Sequence, residues 1–481
     1  MTEPAWRQHQ VFCAALAPDG THIVIGTAAG AVLRLRVGRG AARPLVLPRM
    51  LSAPMPAPFL PDPPTRLLWM TGNRARALDV ASGQEVAGGF AYPEPVLPMG
   101  GIDFNPPVRP DLKFMVVDTA HGCQAWELGA GGVIHIAKLE GAPAGGGPPI
   151  FSPRGDLVAR CFHDDLKLGI WNMRTGAPAG PGFFHPTLVI NLTPNFNPDG
   201  RLIAFGTTDG AGMIIDVATA RPVVTFATRP LVPNQTVGFS PDGSRVVTSN
   251  IQYETRLWNA ATGEPISPML ETTDAIGFAR YSPDGGWFAT WGRHSTSLWD
   301  GQTGAPTGES IPAAGKQVRF SRDSRCLGTA DENGIVRVWD VPSGQPWTEP
   351  MRYSPIRVFS PEFSPDGRFL RVEKENFYVW SVPRRLPEGT LTPEWLLQLA
   401  TVCATKTVND AGQLVDLPDA MTQFDVVRRQ IAALPADAPL AEWGRWVLAD
   451  GATRSIAPGF TITPPEAAKL AAEMATSTTT P

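Results

Sequence analysis

The densest group of side chains that could bind a metal ion or transfer protons is the run His163, Asp164 and Asp165. Imidazole and carboxylate groups are common zinc ligands and common general acids and bases. Adjacent residues on a turn, however, seldom converge on one ion. We therefore interpret this run as a solvated turn between two strands, in preference to a metal or acid–base site.

Motifs for nucleotide binding and catalysis are missing or incomplete. Lys316 follows Gly315, but Ser310 stands where a P-loop has its first glycine, and Gln317 stands where serine or threonine would bind magnesium. The sequence contains no HRD, DFG, GxGxxG, GxSxG or HExxH motif. We therefore predict no catalytic residue, no metal site and no cofactor.

Charge is not concentrated in a way that favours nucleic acid or anionic membranes. The net charge of the 481-residue chain is −4 and its pI is near 6.0. One segment, LRLRVGRGAAR, could bind phosphate, but its arginines alternate with apolar residues as in a half-exposed strand, which we favour. These arginines are Arg34, Arg36, Arg39 and Arg43.

Cysteine usage and the N-terminus favour a cytoplasmic protein. Five cysteines are scattered without a CxxC pair, which is typical of reduced, structural thiols. The N-terminal MTEPAWRQHQ has no apolar stretch like that of a signal peptide, and the most apolar run, IVIGTAAGAVL, is too short to span a bilayer.

The secondary-structure elements that would position any site come from a repeat in the sequence. A phrase like FSPDG occurs nine times, at successive spacings of 43, 45, 47, 45, 43, 42, 39 and 43 residues. A second signature, often tryptophan followed by a polar residue, comes 17 to 22 residues after each phrase. The phrases begin near positions 16, 59, 104, 151, 196, 239, 281, 320 and 363. The tryptophans are Trp126, Trp171, Trp258, Trp299, Trp339 and Trp380.

One repeat of about 43 residues predicts four short antiparallel strands. Ser-Pro-Asp-Gly fits a type I turn between the first and second strands. The segment GIVRVWD alternates apolar and polar residues, as expected for the third strand. Such a small sheet is not stable alone, and radial stacking of the copies would bury both of its faces.

The period, the FSPDG turn and the tryptophan signature resemble the WD-repeat β-propeller family over roughly residues 3–385. The predicted fold is therefore all-β: a propeller of four-stranded blades over residues 1–385, then a small, mainly helical region over 386–475 and a disordered tail over 476–481. The resemblance implies a histidine, a serine or threonine, an aspartate and a tryptophan in many blades. Most units here lack the histidine, and His9 and His185 lie in units without the tryptophan.

The nine units leave two ring sizes open. Propellers typically have four to eight blades, so the ring has nine blades, or one weak unit is not a full blade, for which 48–90 is the candidate. The N-terminal EPAWRQ could provide the outer strand of the last blade and close the ring.

The last ninety residues predict four helices. Thr392 and Pro393 start the first, which has Trp395, Leu399 and Val402 on one face. The second spans PDAMTQFDVVRRQIAAL, the third LAEWGRWVLAD, and a capping box from Thr463 to Glu466 starts the fourth. The apolar stripe of the second helix is Met421, Phe424, Val427, Ile431 and Leu434. The region more loosely resembles the tail after the propeller in bacterial proteins that join a serine/threonine kinase to WD repeats.

The resemblance implies binding through loops on one rim of the ring. The loop tips there hold His121, His163, Tyr253, His294 and Asn376, which we take as candidate contacts for a protein or peptide partner. The sequence thus predicts a non-enzymatic interaction scaffold or sensor module. A hydrolase with its site in the central channel is the alternative, which would need two or more of these histidines and nearby acids within reach of one another.

Overall fold

The structure is a computed structural model. It describes residues 11–16, 22–27, 32–36, 44–48, 59, 66–71, 74–91, 93 and most of 114–476. Within 114–476, the description omits 130–131, 145–146, 163–166, 185–193, 208, 227, 229–231, 233, 253, 272–277, 293, 309, 313–317, 332, 353–360, 374–375, 384–392, 405, 409–413, 437, 439 and 451–452.

The repeat units form small antiparallel sheets in chain order, as the sequence predicts. The first, the N-terminal sheet, contains β1 (Val11–Leu16), β2 (His22–Thr27) and β3 (Val32–Arg36). It is followed by β4 (Leu45–Pro48). Blade 1 contains β5 (Arg66–Thr71), β6 (Arg74–Asp79) and β7 (Gln84–Ala91), and blade 2 contains β8 (Phe114–Thr119), β9 (Gly122–Gly129) and β10 (Gly132–Lys138).

Blades 3 to 5 each have four strands. Blade 3 contains β11 (Ile150–Phe151), β12 (Leu157–Phe162), β13 (Lys167–Asn172) and β14 (Phe183–Phe184). Blade 4 contains β15 (Asn195–Phe196), β16 (Leu202–Gly206), β17 (Gly212–Asp216) and β18 (Pro222–Phe226). Blade 5 contains β19 (Asn234–Phe239), β20 (Arg245–Asn250), β21 (Glu254–Asn259) and β22 (Leu270–Glu271).

Blades 6 to 8 complete the series. Blade 6 contains β23 (Phe278–Tyr281), β24 (Trp287–Trp291) and β25 (Thr296–Asp300). Blade 7 contains β26 (Val318–Phe320), β27 (Cys326–Ala330), β28 (Ile335–Asp340) and β29 (Met351–Arg352). Blade 8 contains β30 (Glu362–Phe363), β31 (Phe369–Glu373) and β32 (Asn376–Ser381), and its fourth strand is β4.

The ring closes with eight blades, because blade 8 packs directly on blade 1. Leu47 on β4 and Phe369 on β31 share one buried cluster with Leu67 and Leu78 of blade 1. The closing strand is therefore Leu45–Pro48, and the expectation that EPAWRQ closes the ring is wrong. EPAWRQ itself lies outside the described residues.

The unit left out of the ring is the first one, whereas 48–90, the candidate for a unit that is not a full blade, lies within the ring. Its described residues form the three strands of blade 1, and Phe59 makes a bridge to Leu67 at the position of a first strand. The N-terminal sheet instead lies next to the first helix of the C-terminal region. The N-terminal sheet lies outside the ring because β4 pairs with β32 rather than with β3 of its own repeat unit.

In blades 5 to 8 the first turn is held by its own serine and aspartate. In blade 5 the Ser240 hydroxyl donates to Asp242 (2.5 Å) and accepts from the Arg245 N–H (3.0 Å). Gly243 has φ +74°, where a side chain would be strained. Blade 7 replaces this glycine by Ser324, which adopts φ +61° and accepts a hydrogen bond from the Asp284 N–H of blade 6 (3.0 Å).

The C-terminal region contains four helices, as predicted, and one short hairpin that the sequence analysis missed. Trp395, Leu399 and Val402 are buried together with Val427 and Ile431. Met421 is 78% exposed, so its assignment to the buried stripe is wrong. The elements are α1 (Glu394–Ala404), β33 (Lys406–Val408), β34 (Leu414–Asp416), α2 (Ala420–Ala433), α3 (Ala441–Leu448) and α4 (Pro464–Thr476). The boundaries at 385 and 475 stay predictions, and residues 477–481 lie outside the described chain.

The segment that leads into α4 packs across the closing point of the ring, which we call the seam. Phe460 and Ile462 are buried in the cluster that joins blades 8 and 1. The Thr461 N–H donates to the Ala81 carbonyl of blade 1 (2.6 Å), and the Phe460 ring lies 5.0 Å from Phe369 of blade 8. The predicted capping box starts α4, since the Glu466 carboxylate accepts from the Thr463 N–H (2.8 Å).

Candidate interaction surface

The connections between the second and third strands lie on one face of the ring, because every blade runs in the same order. We call this face the rim. In blade 5, Asn250 Oδ1 accepts from the N–H groups of Gln252 (2.9 Å) and Glu254 (3.1 Å), and its Nδ2 donates to the Glu254 carboxylate (2.8 Å). Such side-chain bonds fix the turn and leave its tip exposed.

Other rim turns are fixed in the same manner. In blade 7, Asp331 Oδ1 accepts from the N–H groups of Asn333 (2.9 Å) and Ile335 (2.8 Å). In blade 2, the Thr119 hydroxyl accepts from the His121 N–H (3.2 Å) and donates to the Gly122 carbonyl (3.1 Å). In blades 2, 5 and 7, the described rim residues therefore present exposed tips on backbone that side-chain hydrogen bonds hold.

Of the five predicted rim residues, the structure places two on exposed tips. His121 and His294 are both exposed in turns between the second and third strands. Asn376 is the first residue of β32 and pairs with Pro48 in register. His163 and Tyr253 lie outside the described residues, as does the run His163–Asp164–Asp165.

The two described histidines do not come together. His121 belongs to blade 2 and His294 to blade 6, so half of the eight-bladed ring separates them. The arrangement gives separate contact points around a rim. Among the described residues, no group of three or more histidine, cysteine, aspartate or glutamate side chains is placed to hold a metal ion.

Behind the rim, three blades contain a hydrogen bond that the sequence analysis did not assign. The indole N–H of Trp258 donates to Thr248 (2.8 Å), that of Trp299 to Thr290 (2.8 Å), and that of Trp339 to Thr329 (2.9 Å). In each blade the threonine lies on the second strand, two residues after the partner of the tryptophan. This constant spacing is the sequence signal from which the hydrogen bond could have been predicted.

The remaining tryptophans use other partners. Trp126 donates to Gln124 Oε1 (2.7 Å), and Trp380 is buried and stacked on Tyr378 at 5.8 Å. Trp171 donates to the Glu140 carbonyl (2.8 Å), and its ring lies over Gly169, where a Cβ atom would be only 2.0 Å from the indole. Only glycine fits at position 169 with this tryptophan orientation.

In blade 3 the threonine position is taken by Arg160, which ties blade 3 to blade 2. Its Nη1 lies 2.7 Å from Asp118 Oδ1, its Nη2 3.0 Å from Asp118 Oδ2, and both side chains are at most 1% exposed. Its Nε donates to the Gly147 carbonyl (2.9 Å). A buried ion pair in which both charged groups have hydrogen-bond partners fixes the geometry between two blades more than it raises the stability of the fold.

Three thiols are described, and all of them are buried. Cys123, Cys161 and Cys326 are free and buried, as expected for structural thiols. Burial raises the pKa of Cys123 and of Cys161 to about 12, so both stay protonated at neutral pH. Among the described helices, none combines the length and the apolar character that crossing a bilayer requires.

Comparison with known proteins places this architecture among propellers. The curated relatives that match include two proteins called guanine nucleotide-binding protein subunit beta, from Oryza sativa subsp. japonica and subsp. indica. Each is 26% identical over 256 residues, which are 48% of this chain and 66% of the relative, so the chain spans about two thirds of the relatives' length. No protein-family model matches the sequence.

Among solved structures, the computationally designed Ika8 protein superposes with a TM-score of 0.54 at 16% identity. The match covers 71% of this chain and 100% of the designed one. At this identity the likeness concerns the fold alone. It agrees with the ring of blades described above.

Proposed function

Because the chain is a WD-repeat-type β-propeller, we propose that it is a non-enzymatic scaffold or sensor module that presents its rim to protein or peptide partners. The main support is the rim itself, where Thr119 holds the exposed His121 on an ordered turn and where His294 is exposed in the corresponding turn of blade 6. Pre-ordered tips bind at a low entropic cost. The rice relatives are named as subunits, which is consistent with a partner-binding role.

The proposed partner is a protein or peptide rather than nucleic acid or membrane. A net charge of −4 gives the chain no electrostatic attraction to phosphate backbones as a whole. We further propose a cytoplasmic setting and a link to bacterial serine/threonine kinase signalling, in which this chain acts as the docking half. The looser resemblance of the C-terminal helices supports that link. The separation of His121 from His294 counts against the alternative of a channel hydrolase.

Affinity capture with the full chain tests the rim. We expect the wild type to retain a defined set of proteins, and the variant His121→Ala/His294→Ala to retain them at least about tenfold less, since hot-spot side chains contribute 2 kcal/mol or more. His135→Ala is the matched control, because His135 is an exposed histidine on the outer strand β10, away from the rim. Equal capture by all three proteins would contradict the proposal, and a retained serine/threonine kinase would support the kinase link.

A further inference from the structure

Asn333 and Gly334 lie in the rim turn of blade 7, between β27 and β28. They are the only Asn-Gly pair in the sequence. The Asn333 side chain is exposed, and Gly334 has φ +77°, a conformation that glycine adopts without strain. Because glycine has no side chain, its backbone nitrogen is sterically open to the side-chain amide carbon of the residue before it. The pair therefore has the composition and the exposure that favour attack of the backbone on an asparagine amide.

The asparagines in other described turns differ, because their side-chain carbonyl holds the turn. Asn259 Oδ1, for example, accepts from the N–H groups of Ala261 (2.9 Å) and Thr262 (3.1 Å). The same use of Oδ1 is seen at Asn172, Asn197 and Asn250. In blade 7 the carboxylate of Asp331 takes this role, and within the described part of the chain the Asn333 side chain has no hydrogen-bond partner. Its amide is thus free to meet the next backbone nitrogen.

The backbone nitrogen of Gly334 is weakly held, and the turn has room for an acidic product. The Gly334 N–H donates to the Asp331 carbonyl at 3.3 Å, which is longer than the usual range for such bonds. The rim turn of blade 4 has Asp209 and Gly210 at the same two places, and the Gly210 N–H also donates to the carbonyl three residues earlier (3.2 Å). An aspartate in place of the asparagine therefore fits this type of turn.

We propose that Asn333 is a modification site that converts to aspartate and isoaspartate without an enzyme. The Gly334 nitrogen attacks Asn333 Cγ, the bond from Cγ to Nδ2 breaks, and ammonia leaves with the proton that the attacking nitrogen gives up. Water then opens the resulting succinimide ring at either of its two C–N bonds, so no oxidant or reductant is needed. Both products add a negative charge to the rim at neutral pH. Isoaspartate also lengthens the backbone inside the turn, between the residues that Asp331 joins.

Tryptic digestion and mass spectrometry of the full chain, after incubation at neutral and at mildly alkaline pH, test the site. Peptide 326–337, which contains Asn333, should gain the mass of one amide-to-acid exchange with time, and faster at alkaline pH because the attacking nitrogen must lose its proton. Peptide 257–280 is the matched control, since its only asparagine is Asn259, and should stay unchanged. Equal conversion of the two peptides, or none in 326–337, would overturn the proposal.

The products and one variant test the route. Two products of equal mass that separate on chromatography are expected, because water opens the ring at either bond. A single product would indicate direct hydrolysis of the amide and would exclude attack by Gly334. Asn333→Gln keeps an amide at the tip but has to form a larger ring, so its peptide should convert far more slowly. Conversion at the wild-type rate in this variant would place the mass change at another residue.

Incubation in urea separates a property of the folded protein from one of the unfolded chain. Gly334 is buried in the fold, so conversion should be slower in the folded protein than in urea, but should still exceed that of Asn259. Conversion confined to urea would show that the fold protects the pair, and the proposal would fail. None of these measurements requires a partner, so their outcome is independent of the proposed rim function.

Discussion

At the scale of single residues, three blades share a hydrogen bond between the tryptophan indole and a threonine, and other blades have a different contact at that place. Blades 5, 6 and 7 keep a threonine under the tryptophan, while blade 3 substitutes Arg160 and turns Trp171 onto Gly169. The same backbone position thus serves either to stiffen one blade or to connect two. The residues that face this position from the next blade determine which of the two roles its side chain has.

Thr248→Val tests the first of these roles. The substitution leaves the Trp258 indole N–H buried without an acceptor, so we expect a loss of about 1–3 kcal/mol in the free energy of unfolding. Urea denaturation measures it. The double variant Thr248→Val/Trp258→Phe removes both polar partners and should lose less than the sum of the single variants. Additive losses would mean that the bond contributes nothing.

Some of these residue roles could be predicted from the sequence. The tryptophans were identified by their spacing, and the strand register then places each threonine beneath its tryptophan. The role of Arg160 could not be read, because its partner Asp118 lies 42 residues earlier, on another blade. A single sequence gives no signal for pairing across a junction.

At the scale of elements, the turns that join first to second and third to fourth strands hold ionised aspartates. Hydrogen bonds from Ser240 and Ser244 lower the pKa of Asp242 to about 2. Those from Thr303 lower the pKa of Asp300, and those from Thr219 lower the pKa of Asp216. The charged carboxylate is the form that accepts these bonds, so each turn is held best when its aspartate is ionised.

Acid should therefore loosen the turns in a defined range. A folded-state pKa below the ordinary 3.8 adds stability above that value, and this stability is lost as the pH falls from about 4 to about 2. Asp242 is 56% exposed, so solvent screening limits its share to about 1 kcal/mol. Urea midpoints measured across this range should fall less steeply for Asp242→Asn than for the wild type. Parallel curves would show that the aspartate has no such role.

At the scale of the whole molecule, the sequence predicts the repeat but not the way the ring closes. The spacing of the motifs shows nine repeat units. Whether the ring has eight or nine blades depends on the strand to which the four residues Leu45–Pro48 form their hydrogen bonds. These residues read equally well as the fourth strand of their own unit. Their pairing with β32 is decided by packing against Phe369, Phe377 and the C-terminal segment, which no local pattern encodes.

The C-terminal segment also changes what the helical region is expected to do. Phe460, Ile462 and Leu470 pack on the seam, and Glu442 on α3 forms an ion pair with Arg368 of blade 8 (2.6 Å). The helices are therefore part of the closure of the ring. Removing them would disturb the seam as well as any partner that they contact.

Phe460→Ala tests this closure directly. Loss of a buried phenylalanine typically costs about 3–5 kcal/mol, and here the cavity would open between the Phe369 ring and the first blade. Hydrogen exchange of the full chain should rise first in β4 and in blades 1 and 8, and remain slow in blades 4 and 5. Met421→Ala, at a residue that is 78% exposed, should leave the exchange pattern unchanged. A rise spread evenly over all blades after Phe460→Ala would mean that the segment supports the fold in general and has no particular function at the seam.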